Sequence, residues 1–202
     1  MTTAKAASTT ASGGKPAKAP PRERLLAAAA ELFEQEGVGV GTDALCRAAG
    51  ISKRSMYQLF GSKDEIIAAS LERRAPALSA YLIPPPGEPA APRERILYVF
   101  RRLEEVAGDP GYRGCPYVST MVELKDPAHP AREVARHRKD EMRAFFQAEA
   151  ERGGAADAAL LARQLVLVYD GAATRAGTGA EVLDGLALAT AAALLESAGV
   201  RR

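Results

Sequence analysis

Residues 42–63, Thr-Asp-Ala-Leu-Cys-Arg-Ala-Ala-Gly-Ile-Ser-Lys-Arg-Ser-Met-Tyr-Gln-Leu-Phe-Gly-Ser-Lys, constrain the fold of this chain more than any other stretch. They read as two short helices bent at a glycine, followed by the start of a third. Thr42 and Ser52 stand where N-caps are needed, because a hydroxyl can accept from backbone N–H groups that the first helical turn leaves free. Leu45, Ala48 and Ala49 are expected on one helical face. Gly50 supplies the left-handed conformation that ends a helix at little cost, and Ile51 fills the angle between the helices. This is the layout of a helix-turn-helix, whose second helix is shaped to enter a DNA major groove.

That second helix is expected over residues 53–59, a rod of roughly 10 Å at the α-helical rise. Its first turn, Lys53, Arg54 and Ser55, is polar and doubly cationic. Groove-reading helices use their N-terminal residues on base edges, where Arg and Lys donate to guanine O6 and N7. Tyr57 is placed to reach a phosphate oxygen, and Gln58 to pair with adenine or bond a phosphate. Met56, Leu59 and Phe60 are apolar at helical spacing and are expected to face inward. Ser62 with Glu65 three residues on makes a capping-box pattern. Lys63 sits at that helix start, where a phosphate is well received. Structurally neutral corners share these features, so the motif alone leaves DNA binding and a plain structural turn both open.

The residues Ala48-Ala49-Gly50-Ile51-Ser52-Lys53, then Met56-Tyr57, then Phe60-Gly61-Ser62-Lys63 resemble the signature of the tetracycline-repressor (TetR) family of bacterial transcriptional regulators, approximately A-A-G-V-S-x-x-x-L-Y-x-x-F-x-S-K. The helix expected at 22–36, with Leu25, Ala29, Leu32 and Phe33 on one stripe, is similar to that family's first helix. Further along, Arg113-Gly114-Cys115-Pro116, Asp126-Pro127-Ala128-His129-Pro130 and residues 165–171 resemble the effector domain of one subgroup more loosely. The resemblance implies DNA contacts from Ser52, Lys53, Arg54, Ser55, Tyr57, Gln58 and Lys63, with Thr42 at the start of the preceding helix. Two departures stand out. The loop at 37–41 is unusually rich in glycine and lacks an aromatic, which leaves the start of the second helix open by about a residue. Arg54 occupies a position where many members carry a small residue, which implies an added base or phosphate contact.

Composition agrees with an all-α chain. Alanine and leucine dominate, and aromatic residues make up 5% of 202 residues. The expected architecture is a helix-turn-helix head of three helices at 21–66, after a basic arm at 1–20, and a helical domain at 67–202, about nine helices in all. The arm, rich in Ala, Ser, Thr, Gly, Lys and Pro, is expected to be disordered. It serves either as a solubilising tail or as a minor-groove contact. The net charge is only +2, but residues 1–74 hold eleven Lys/Arg against eight Asp/Glu, so the positive excess lies at the DNA-reading end. Cys46 and Cys115 give no disulfide framework, and no stretch resembles a signal peptide or a bilayer span. A cytoplasmic protein without membrane attachment is expected.

Later helices are expected at 62–82 (with a kink or break at Pro76), 92–107, 115–124, 131–152, 156–176 and 180–198, separated by Pro- and Gly-rich turns. The last two are apolar nearly all round. The TetR resemblance implies that they form a four-helix homodimer interface, for which Leu161, Leu165, Val168, Leu183, Leu186 and Leu194 are the candidates. It also implies a cavity for a small apolar effector. The candidate lining residues are Tyr98, Cys115, Tyr117, Met121, Met142, Phe145 and Tyr169.

Competing chemistries are poorly supported. Cys115 with His129 or His137 would make a thiol–imidazole pair for a small hydrolase, but nothing orients a third member. A redox sensor using Cys115 on the same scaffold is the main alternative. No Cys/His spacing fits a metal, and no cofactor fingerprint is present.

Overall fold

The computed structural model describes residues 19–200, so the terminal arm lies almost wholly outside the described residues. Among these, nine helices and no strands are present: α1 Pro21–Glu36, α2 Thr42–Ala49, α3 Lys53–Leu59, α4 Lys63–Leu82, α5 Pro92–Ala107, α6 Pro116–Glu123, α7 Pro130–Arg152, α8 Ala158–Gly177 and α9 Leu186–Ser197. Proline opens α1, α5, α6 and α7 in the first turn, where its missing N–H costs nothing. Pro76 does not end α4, which runs unbroken through it. The last helix starts six residues later than the hydrophobic pattern suggests. Residues 180–185 form turns instead, and the Glu104 carboxylate of α5 accepts from Gly185 N and Leu188 N at 2.9 Å each, capping α9 from across the core.

Two cores are stacked along α4. Leu25, Leu26 and Ala29 of α1, Leu45, Cys46 and Ala49 of α2, Met56 of α3, Phe60 and Ile66 fill the head. The larger core runs through α4 to α9, with Phe100 stacked on Phe146 at 5.8 Å and meeting the Tyr169 ring edge-on. The expected boundary at 66/67 falls inside α4, where the consecutive residues Ile66 and Ile67 are buried in different cores. A turn of rigid helix therefore belongs to both halves. Further ties cross the junction. Val38 N donates to Glu123 at 2.7 Å and Arg74 pairs with Glu34 at 2.9 Å, while within the larger half Arg138 of α7 pairs with Glu72 of α4.

Local details correct several expectations. Ala48 is exposed, and Cys46 joins Leu45 and Ala49 inside. Leu59 is partly exposed while Met56 and Phe60 are buried, because a single turn of α3 can turn only one edge inward. Thr42 is the first residue of α2 and not its cap. Gly41 takes that place, and Ala44 N and Leu45 N donate to its carbonyl.

Candidate nucleic-acid interface and effector cavity

Ser52 caps α3 with its hydroxyl, which accepts from Ser55 N at 3.0 Å and lies 2.9 Å from Ser55 Oγ. Ser55 therefore takes part in the cap through its backbone N–H and keeps further hydrogen-bonding capacity on its hydroxyl. Gly50, at φ +62°, makes the left-handed stop that the sequence suggests. Next to this corner Arg22 lies over the Phe60 ring at 5.1 Å.

On the outer face Lys53, Arg54, Tyr57 and Gln58 are exposed, and Lys63 is half-buried. Thr42 is half-buried at the start of α2. Lys53 Nζ sits 3.0 Å from Asp43 of α2, and the hydrogen bond and charge of Asp43 raise the ammonium pKa. Asp43 was not among the residues expected at this surface. Its place in the first turn of α2, ten residues before Lys53, becomes meaningful only once the two helices are folded against each other. Beyond α3, Ser62 caps α4 by accepting from Glu65 N at 3.2 Å, while Glu65 reaches back to Gly61 N at 2.9 Å, one residue beyond the usual capping-box partner.

The second feature is a cavity of about 890 Å³ in the larger core. Its walls are the end of α4, residues 84–86, Tyr98 of α5, Cys115 and Tyr117 at the start of α6, residues 138–145 of α7, and Tyr169 of α8. Six of the seven residues expected to line a cavity, Tyr98, Cys115, Tyr117, Met142, Phe145 and Tyr169, share this one. Met121 does not line it. Arg132 clamps the end of α6 onto α7 by donating to the Met121 carbonyl at 2.8 Å, and the Met121 side chain packs into the core.

The charged lining, Arg138, Lys139 and Glu141, escaped sequence reasoning because it lies in the polar first half of α7, which reads as a solvated face. Lys139 pairs with Asp170 and lies 4.7 Å from the centre of the Tyr169 ring. Arg138 pairs with Glu72 and with Glu141. Arg95 orders the proline wall: its buried guanidinium meets Glu149 at 2.7 Å and donates to the Pro85 carbonyl. Cys115 is buried, and burial pushes its thiol pKa up against the partial opposition of Lys139. Burial likewise raises Tyr117 to about 12, and Tyr169 more strongly.

Neither histidine meets Cys115 at the cavity wall. His129 caps α7, accepting from Ala131 N at 3.1 Å. Its Nε2 is 3.2 Å from Asp64, close enough for an ion pair when protonated but outside hydrogen-bond geometry. His137 is exposed beside Glu141.

The apolar face left open lies on α8, on α9 and in their connection. Leu160, Leu167, Val182 and Leu186 are 47%, 74%, 85% and 53% exposed. Of the residues expected at a dimer interface, Leu161, Leu165 and Leu183 are instead buried in this subunit's own core, Val168 and Leu194 are half-buried, and Leu186 is exposed. Helix α8 is apolar on two stripes, and the stripe containing Leu161 and Leu165 is the one that packs inward.

A family model described as bacterial regulatory proteins, tetR family, matches residues 25–70, which span most of the head and the start of α4. The crystal structure of a TetR-type transcriptional regulator from Streptomyces avermitilis is 57% identical over 90% of this chain and 100% of that one, with a TM-score of 0.88. The chain belongs to the TetR family of transcriptional regulators. A TetR-family regulator from Streptomyces coelicolor is 25% identical, covering 89% of this chain and 96% of its own, with a TM-score of 0.82. The reduced form of NemR from E. coli is 26% identical over 88% and 95%, with a TM-score of 0.73. No curated protein sequence matches the chain. As a TetR-family member it is a DNA-binding regulator, and α3 is the second helix of its helix-turn-helix. Among the described residues no helix is long and apolar enough to cross a membrane.

Proposed function

We propose that this TetR-family regulator is a cytoplasmic homodimeric repressor, released from a palindromic operator by a small, largely apolar effector. The observation that carries this reading is the sharing of α4. The helix begins next to the groove-reading face, buries Ile66 with the head, and ends as a wall of the cavity. Arg54, Tyr57 and Gln58 contact bases or phosphates, Lys53 exchanges Asp43 for the DNA, and Lys63 and Ser52 hold the backbone. Effector favours the conformer whose heads are wrongly spaced, and DNA favours the other. By linkage, each weakens binding of the other. Arg138 lies at the cavity wall and grips Glu72, so it supplies a direct route from ligand to α4.

The thiol-sensing alternative has less support, because burial holds Cys115 in its protonated, unreactive form. Fluorescence anisotropy on duplexes from the DNA flanking the coding region tests the proposal. Specific binding to an inverted repeat, lost on adding effector, is expected. Binding with no sequence preference at any salt concentration overturns it.

A further inference from the structure

We infer that the cavity takes a neutral, mainly apolar ring compound bearing a carbonyl oxygen, which accepts hydrogen bonds from Tyr117 and Tyr169. This rests on the effector reading above and names the chemical class of the ligand.

The first argument comes from charge. Each charged group on the cavity wall already has an ionic partner: Lys139 holds Asp170, Arg138 holds Glu72 and Glu141 through its terminal nitrogens while its Nε has no partner among the described residues, and Glu141 also faces His137. A ligand carboxylate would compete with these carboxylates for the same two cations, and so gains less there than it would from an unpaired cation. A ligand ammonium would meet Arg138 and Lys139 on the wall, and Glu141, the wall's one carboxylate, is already paired with Arg138. A neutral molecule avoids both costs.

The second argument comes from uncommitted hydrogen-bonding capacity. Tyr98, Tyr117 and Tyr169 line the cavity, and none of their hydroxyls is hydrogen-bonded to a described residue. Tyr117 and Tyr169 are 7% and 3% exposed, and neither hydroxyl is fully enclosed, so both keep contact with solvent-accessible space. A ligand acceptor would give these hydroxyls a directional hydrogen bond that the protein itself does not supply. Both phenols are protonated at neutral pH, as an ordinary tyrosine is, and burial raises their pKa values further, so both can donate. The remaining wall, including Leu78, Leu82, Met142 and Phe145, is apolar and suits a ring system.

The test is isothermal titration calorimetry of the full chain with four probes on one ring skeleton: fluorenone, fluorene, a fluorene carboxylate and an aminomethylfluorene. Fluorenone is expected to bind about tenfold or more tighter than fluorene, as two donated hydrogen bonds warrant, and tighter than either charged probe. Tyr117→Phe and Tyr169→Phe are each expected to remove most of the fluorenone advantage while leaving fluorene affinity unchanged, with circular dichroism confirming the fold. Tightest binding by the carboxylate or the amine, equal binding of fluorenone and fluorene, or no binding by any probe overturns the assignment. Operator release is measured in parallel. Fluorenone that binds through the tyrosines without releasing DNA sinks the effector reading and leaves the ligand class standing. Release by a charged probe alone does the reverse.

Discussion

Lys53 does not stand free at the front of α3, because Asp43 holds its ammonium at 3.0 Å and opposes the phosphate field it would meet on DNA. Asp43→Asn is therefore expected to tighten binding several-fold on specific and non-specific duplexes alike, since it removes a negative charge from the face that meets a polyanion. Anisotropy titrations on both duplexes measure this, and unchanged affinity on both would mean that Lys53 makes no phosphate contact. Arg54 is exposed on the same face. Arg54→Ala is expected to cost about 1–3 kcal/mol on the correct operator and to relax preference at one base pair. Lys63→Ala is expected to weaken all sequences evenly and reduce the slope of log affinity against log salt. If both variants lose affinity without regard to sequence, Arg54 does not read a base. At this scale much of the interface was legible: α3 has the bounds its sequence suggests, and Ser52 caps it. Asp43 was not legible, because an exposed ion pair between helices depends on a crossing angle that spacing alone does not reveal.

Helix starts followed the sequence where a proline opens the helix, and the structure departed from it at Pro76, which α4 runs through, and at the start of α9. Helix α5 begins at Pro92 as read, whereas residues 180–185 stay out of α9 because Glu104, far away in sequence, caps the helix later. The Arg113-Gly114-Cys115-Pro116 motif likewise acquires its physical reason only in three dimensions. Gly114 takes φ +91° against the Ala173 carbonyl, and α8 presents Gly177 to the same crossing. A Cβ on Gly177 would come within 2.5 Å of Arg113 C and 2.6 Å of Gly114 Cα, both backbone atoms that cannot swing aside. Gly177→Ala is thus expected to lose about 1–3 kcal/mol or more through overpacking, although alanine is the better helix former. Because Cys115 follows directly and lines the cavity, ligand affinity is expected to fall with stability. Urea unfolding checks the first expectation. A variant as stable as the parent would mean that the crossing is loose and does not set the cavity wall.

For the whole molecule, the decisive question is what covers α8. A helix apolar on two stripes must bury both or leave one to a partner. Leu161 and Leu165 are spent on the subunit's own core, while Leu160 and Leu167, seven residues apart, remain open together with Val182 and Leu186. Gly171 continues the open stripe, and a Cβ there would touch nothing within 4 Å. This geometry lets a second copy approach closely, and two-fold symmetry would set paired α3 helices roughly 34–36 Å apart, one DNA turn. The sequence could not choose between the stripes, because both carry leucines at helical spacings and only the packing of α8 against α7 and α9 breaks the tie. Leu167→Glu combined with Leu186→Glu is expected to give a monomer in sedimentation velocity, since each full leucine burial contributes about 1.5–3 kcal/mol and a buried unpaired carboxylate reverses the sign. Val122→Glu, an equally exposed apolar site on α6, is the control and is expected to leave the assembly intact. The monomer should keep its fold, because neither leucine belongs to a core, and should bind a half-site while losing its preference for the inverted repeat. A double variant that stays dimeric, or a Val122→Glu variant that dissociates, would move the interface away from α8.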